Sequence, residues 1–144
     1  MKHKIRPLAI GIFSHTGRIL VHEGYDRVKQ QTFYRPLGGG IEFGETGAGA
    51  LAREMREEIG QAIRDIRYLG TLENIFTFEG ESGHEIVLVY DAAFVDPAIY
   101  QKTRIDGIEG EDIPFVAVWK ALEDFSNGRG PLYPDGLYNL LKKD

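Results

Sequence analysis

The stretch Gly38-Gly39-Gly40-Ile41-Glu42-Phe43-Gly44-Glu45-Thr46 leads without a break into Gly47-Ala48-Gly49-Ala50-Leu51-Ala52-Arg53-Glu54-Met55-Arg56-Glu57-Glu58-Ile59-Gly60-Gln61. Apolar residues recur at helical spacing from Thr46 to Ile59, and Gly60 supplies a C-terminal cap. Each helical residue advances by about 100°. Glu54, Glu57 and Glu58 therefore share one face, while Ala48, Leu51, Ala52, Met55 and Ile59 form the adjoining arc that meets a core. Three like charges on one face destabilise a helix unless something neutralises them. Two readings follow. One is a solvated acidic face with Arg53 and Arg56 as ion-pair partners. The other is a hard divalent cation held through carboxylate oxygens. The glycine run before the helix favours the second, because backbone without side chains can approach a ligand or metal closely.

Outward from this segment, residues 8–13 read as a first strand, 14–17 as a turn and 18–22 as a second strand, so the pair predicts a hairpin. Residues 24–30 read as a polar loop. Residues 32–35 are β-prone, with Pro36 ending the strand. After the helix, residues 66–78 return to strand pattern with a break near Gly70, and 79–83 form an acidic loop. Residues 86–95 are the most apolar run and predict a central strand. Residues 96–111 fit no single pattern. Residues 115–119 form another strand and 121–125 a helical turn. Residues 127–134 form a loop, and 135–142 a short amphipathic helix. Strands interleaved with two helices indicate one α/β (α+β) domain spanning 1–144.

Composition narrows the function. Of 144 residues, 27% are charged and 42% hydrophobic, ordinary proportions for a globular chain able to bury a core. There is no Cys, so a disulfide framework, a zinc–thiolate site and a thiol nucleophile are excluded. That fits a reducing cytoplasm, the expected location. The basic start, Met1 to Pro7, is followed by too short an apolar run for a signal peptide, and no run is long enough for a membrane span. The net charge of −5, from 17 basic and 22 acidic residues, repels phosphate backbones and disfavours long nucleic acid as a partner. A small phosphate substrate remains compatible, since a bound cation reverses the local sign. The four histidines are scattered without metal-ligand spacing.

Residues 39–61 resemble the Nudix box. That pattern is a glycine, five residues, a glutamate, seven residues, then Arg-Glu-aliphatic-any-Glu-Glu-any-Gly-aliphatic. Gly39, Glu45, Arg53, Glu54, Met55, Glu57, Glu58 and Gly60 fall in register, and Gln61 departs at a packing position. Chance agreement of seven fixed identities is of order 10⁻⁸ per start at background frequencies. The resemblance, to MutT-like members included, implies an α/β/α sandwich with a mixed β-sheet. It implies a hydrolase that cuts the pyrophosphate of a nucleoside diphosphate linked to another moiety, dependent on Mg²⁺, with Mn²⁺ as a substitute.

By the same resemblance Glu54, Glu57 and Glu58 supply metal ligands, the Gly39 carbonyl adds another, Arg53 orients Glu57, and Glu45 holds the loop against the helix. The general base is a box glutamate such as Glu57 or an acid from a distant loop. In the loop carrying Glu109, Glu111 and Asp112, Glu111 is the expected base, with Glu79, Glu81 and Glu85 as a second group. Arg35 is the expected phosphate contact. Tyr34, with Phe76, Phe78 and Tyr90, is a candidate for stacking on a base. Thr77 stands where a proline would mark ADP-ribose, and Phe78, Glu79 and Gly80 stand where a tyrosine would mark dinucleoside polyphosphates. The proline-rich motif of NADH pyrophosphatases is absent. Family analogy adds homodimerisation. The competing readings are a non-catalytic Nudix-fold module that senses a nucleotide and an interaction domain whose acidic helix is only solvated.

Overall fold

The computed structural model describes residues 3–127 and 130–142. Met1 and Lys2 of the basic start, and residues 128–129 of the expected 127–134 loop, lie outside the described residues. The strands are β1 (Ile5–Ile12), β2 (Ser14–His15), β3 (Arg18–Asp26), β4 (Gln31–Gly40), β5 (Ile63–Phe78), β6 (Glu81–Phe94), β7 (Arg104–Glu109) and β8 (Ile113–Ala121). The helices are α1 (Gly47–Ile59) and α2 (Leu137–Lys142), with 3-10 turns at Pro97–Gln101 and Leu122–Asn127. The strand order is β5-β6-β1-β4-β3-β8-β7, with β2 paired to β3. β1 runs parallel to β6 and antiparallel to β4, so the sheet is mixed.

Two expectations are corrected. β1 and β3 do not form a simple hairpin. Only Ser14 and His15 pair back onto β3, while β1 is claimed by β6 and β4. The apolar face of β1 finds longer partners there than a two-residue turn offers. Pro36 also does not end its strand. Residues 31–36 pair with β3 and residues 37–40 pair with β1, so Pro36 sits at the handover between two ladders. A missing amide is tolerated at such a point. This handover leaves the outer edge of residues 31–36 unclaimed by β1 and opens the cleft described below.

The core lies on both faces of the sheet. One cluster, including Phe13, Leu20, Leu51, Met55 and Phe94, is covered by α1. The other, including Leu8, Ile10, Val21, Val87 and Val89, is covered by Leu137 of α2. α1 begins at Thr46, whose side chain accepts from the Gly49 amide at 3.0 Å. It ends at Gly60, which takes a left-handed conformation with φ 68°. Leu51 and Met55 are fully buried as the periodicity requires.

The long β5–β6 hairpin turns through Glu79 and Gly80, both at positive φ, as a two-residue hairpin loop demands. Pairing shifts near residues 64–70 match the break expected at Gly70. The segment 96–111, unassigned by pattern, holds the Pro97–Gln101 turn and β7. No helix among the described residues is long and apolar enough to cross a membrane.

Candidate active site

Arg53 organises the loop ahead of the helix. Its Nε donates to Glu45 at 2.7 Å and one terminal nitrogen donates to the other Glu45 oxygen at 3.0 Å, a bidentate pair. That same nitrogen donates to the Gly40 carbonyl at 2.9 Å. The remaining terminal nitrogen donates to Glu54 at 3.1 Å and to Glu57 at 3.2 Å. Glu45 also accepts from the Glu42 amide at 3.0 Å. Hydrogen bonds from Arg53, then from that amide, hold the Glu45 carboxyl down to about 2. One guanidinium thus ties the loop, the end of β4 and the acidic helix into a single unit.

The three helix glutamates do not share one environment. Glu57 is 60% exposed and engaged by Arg53. Glu54 is 16% exposed, and Glu58 is buried at 9%. Burial, reinforced by hydrogen bonding and charge from Glu54 and by the charge of Glu109, pushes the Glu58 carboxyl up to about 9, with Arg35 acting in the opposite direction. Two carboxyl groups packed together resist joint ionisation.

Gly39 lies directly over the Glu54 member of this pair. A Cβ there would stand 2.3 Å from the Glu54 carboxyl carbon and 2.5 Å from one of its oxygens. Gly39→Ala must therefore push the Glu54 carboxylate aside. We expect turnover to fall by about 100-fold, the usual cost of ångström-scale misplacement. The thermal midpoint should change little, because the obstructed group is the far end of a flexible side chain rather than backbone. Parallel rate and melting measurements check both.

These features face a cleft of about 760 Å³ between the β5–β6 hairpin and the β3–β4 hairpin. Glu54, Glu58, Arg35, His22 and Glu109 line one end. Burial lowers the pKa of His22, and the charges of Glu109 and Arg35 act on it in opposite directions. The other end is aromatic. Phe33 meets Phe78 with ring centroids 5.7 Å apart and Tyr133 at 5.8 Å, and Phe76 lies alongside. The two hairpin tips clasp each other there. The Glu79 amide donates to Asp26 at 3.0 Å, and the Arg27 guanidinium donates to the Glu79 carboxylate at 2.9 and 3.2 Å.

A hard cation fits this arrangement. Two adjoining carboxyl groups, with backbone brought close by Gly39, form an oxygen-only donor set in the same cleft as Arg35. Among the described residues no three acidic or imidazole groups enclose a cation on their own. That suits an ion held by one or two carboxylates and completed by substrate oxygens.

Several expected site residues fall elsewhere. Tyr34 does not line the cleft. Neighbours on a strand point to opposite faces, so Tyr34 lies behind Arg35, against Phe125 at 5.7 Å and Lys120 at 5.2 Å. Phe33, which shares the face of Arg35 by the same alternation, occupies the cleft instead. Glu111 is exposed in the turn at 110–112 and does not line the cleft, whereas Glu109 does. Glu109 is the last residue of β7, whereas Glu111 lies beyond it in the turn. Tyr90 is core. Of the second acid group, Glu79 is tied to Arg27, Glu81 is exposed, and Glu85 is buried in the cleft wall. Tyr133 had no local signal, since the chain returns to the cleft from far along the sequence.

The chain matches the NUDIX domain family over residues 2–136. It belongs to the Nudix hydrolase family. Part of this Nudix chain is 42% identical over 59 residues to the NAD-capped RNA hydrolase NudC of Mycobacterium bovis (strain BCG / Pasteur 1173P2), covering 36% of the chain and 19% of that relative. The match thus spans about a fifth of the relative's length. The RNA pyrophosphohydrolase of Ruthia magnifica subsp. Calyptogena magnifica is 26% identical over 126 residues, covering 79% of the chain and 70% of that protein. Among solved structures, a MutT NUDIX hydrolase from Burkholderia pseudomallei aligns with a TM-score of 0.68 at 21% identity, covering 99% of this chain and all of that one. A NUDIX hydrolase from Nitrosomonas europaea aligns with a TM-score of 0.66 at 16% identity, covering 96% and 87%. Both carry the mixed sheet with flanking helices, the Nudix fold.

Proposed function

We propose that the chain is a Mg²⁺-dependent pyrophosphohydrolase that cuts the phosphoanhydride of a small nucleotide derivative. The observation that carries this reading is the Glu54–Glu58 pair beneath Gly39, facing Arg35 across a cleft whose far end is aromatic. Curated relatives described as an NAD-capped RNA hydrolase and an RNA pyrophosphohydrolase support the reaction class.

Glu54 and Glu58 would hold Mg²⁺, with the Gly39 carbonyl completing the protein's share, whereas Glu57, expected as a third ligand, is exposed, engaged by Arg53 and outside the cleft lining. Mn²⁺ would substitute, having the same preference for oxygen. Once bound there, a divalent cation would supply neutralisation of phosphate charge and so ease attack by water. Arg35 contributes a fixed positive charge at the same end of the cleft and positions the anhydride. Arg53 keeps Glu54 and Glu57 in register with the loop. Glu109 takes the role expected of Glu111, accepting the proton of the attacking water, because Glu109 lines the cleft and influences Glu58. Attack at phosphorus depends on positioning and electrostatic stabilisation more than on covalent chemistry. The aromatic end accommodates the base. The cleft's volume suits one nucleotide unit, so a free nucleotide derivative is a better substrate than long RNA.

The test is phosphate release from nucleoside triphosphates, nucleotide sugars, ADP-ribose, dinucleoside polyphosphates and NADH, with coupling phosphatases and with Mg²⁺ present or withheld. Mg²⁺-dependent release from one class is expected. Silence across the panel, with Mn²⁺ also tried, together with tight nucleotide binding, would favour a sensor instead.

A further inference from the structure

Two polar side chains in the cleft wall take no part in the chemistry above. Asn74 of β5 and Glu85 of β6 are direct cross-strand partners, only 4% and 5% exposed. The Asn74 amide donates to one Glu85 oxygen at 3.3 Å, and its carbonyl oxygen accepts from the Asp135 amide at 3.2 Å. Asn74 is thereby fixed by a segment that also delivers Tyr133 to the aromatic end. Among the described residues, the second Glu85 oxygen has the exposed Arg6 as its charged partner, at 3.9 Å.

A carboxylate offers about four acceptor positions and no donor. Asn74 occupies one of them with a long bond, and Arg6 stands outside hydrogen-bonding distance. The remaining acceptor positions of Glu85 open onto the cleft, where a ligand that brings donors can use them. Glu85 lines the same cleft as the rings of Phe33, Phe76, Phe78 and Tyr133, surfaces suited to stacking on a flat ligand. A base held there would present its Watson–Crick edge to polar groups in the wall.

We propose that Glu85, steadied by Asn74, reads that edge, and that the base it selects is guanine. This rests on the nucleotide pyrophosphohydrolase reading and adds a substrate class to it. Among the common bases only guanine carries two adjacent N–H donors on this edge, the ring N1–H and the exocyclic amine. Both can be accepted by one carboxylate. Adenine and cytosine place a ring lone pair beside the amine, which a carboxylate repels. Uracil flanks its single N–H with two carbonyls. Arg6, being exposed, can swing clear without loss of packing.

The experiment is calorimetric titration of the full chain with GMP, IMP and AMP. Monophosphates have no anhydride bond, so the result is independent of catalysis. GMP should bind more tightly than AMP by about 5- to 150-fold, the range for one good bidentate base contact. IMP, lacking the exocyclic amine, should fall between them. Glu85→Gln presents one acceptor and one donor, the complement of adenine, and should reverse the order of GMP and AMP. The order among the three nucleotides on the unaltered chain stands without the variant, should the substitution disturb folding. Equal affinities, a preference for AMP, or no measurable binding of any of the three overturns the proposal. GMP preference without Mg²⁺-dependent hydrolysis of any guanine nucleotide would instead retain the base contact and remove the enzymatic reading.

Discussion

Glu58→Gln is expected to cut Mg²⁺-dependent turnover by about 1000-fold, yet to raise the thermal midpoint of the metal-free protein at pH 8. Both effects have one cause. Glu58 is buried against Glu54, which pushes its carboxyl up to about 9. An acid whose folded pKa exceeds its unfolded value of 4.5 binds more protons when folded at every pH between the two. Stability contributed at Glu58 is therefore present at low pH and lost as pH rises from 4.5 towards about 9. The metal-free protein should lose up to about 5 °C per pH unit across that window, and the glutamine variant should not share the trend. A divalent cation removes the conflict by satisfying both charged carboxylates, so Mg²⁺ should restore the midpoint of the unaltered protein and leave the variant unmoved. Melting curves at several pH values, with and without Mg²⁺, alongside steady-state rates, read all of this. A variant with full turnover would take Glu58 out of the site.

Arg53→Lys should be nearly as severe for a different reason. Lysine keeps the charge but cannot reproduce the fork that reaches Glu45, Gly40, Glu54 and Glu57 together. Turnover should drop by about 10- to 100-fold, as when the support of a metal ligand is removed. The midpoint should fall by roughly 5 °C. The pH dependence adds a signature. Glu45 is held down to about 2, largely by Arg53, so its stabilising contribution is complete above 4.5 and lost as pH falls towards about 2. Weakening that pair should move the onset of acid unfolding up towards 4.5. Acid titration followed by circular dichroism measures the shift. An unchanged acid limb would show that the bidentate pair adds nothing to the loop.

How much of this was legible beforehand depends on how local each signal was. The helix from 47 to 59, its caps and its buried arc follow from periodicity and from Thr46 and Gly60, all within one segment. The Arg53–Glu57 pair, four positions apart on the helix, was legible too, but the hold of Arg53 on Glu45 and the Gly40 carbonyl was not. The division of labour among the glutamates was not visible. An angular wheel places Glu54, Glu57 and Glu58 together, and only packing against β7, where Gly107 lets the chain approach the Glu58 carbonyl, buries one and leaves another in solvent.

The cleft was less legible still. Strand alternation separates Phe33 and Arg35 from Tyr34, and the end of β7 separates Glu109 from Glu111, but only once the strand limits are known. Pro36 hid those limits, because the exchange of partners at that residue is a tertiary event. The pairing of Asn74 with Glu85 required the register of a long hairpin, and Tyr133 arrives from far along the chain.

The account stands on Glu54 and Glu58 holding a divalent cation together. Electron paramagnetic resonance reports this directly, since free Mn²⁺ gives a sharp signal that disappears on binding. Titrating Mn²⁺ into the full chain at pH 8, beside chains carrying Glu54→Gln and Glu58→Gln, should reveal a site in the unaltered protein that Mg²⁺ displaces and that both variants lose. Equal Mn²⁺ binding by all three proteins would contradict the assignment and leave the acidic helix as a folded, solvated surface.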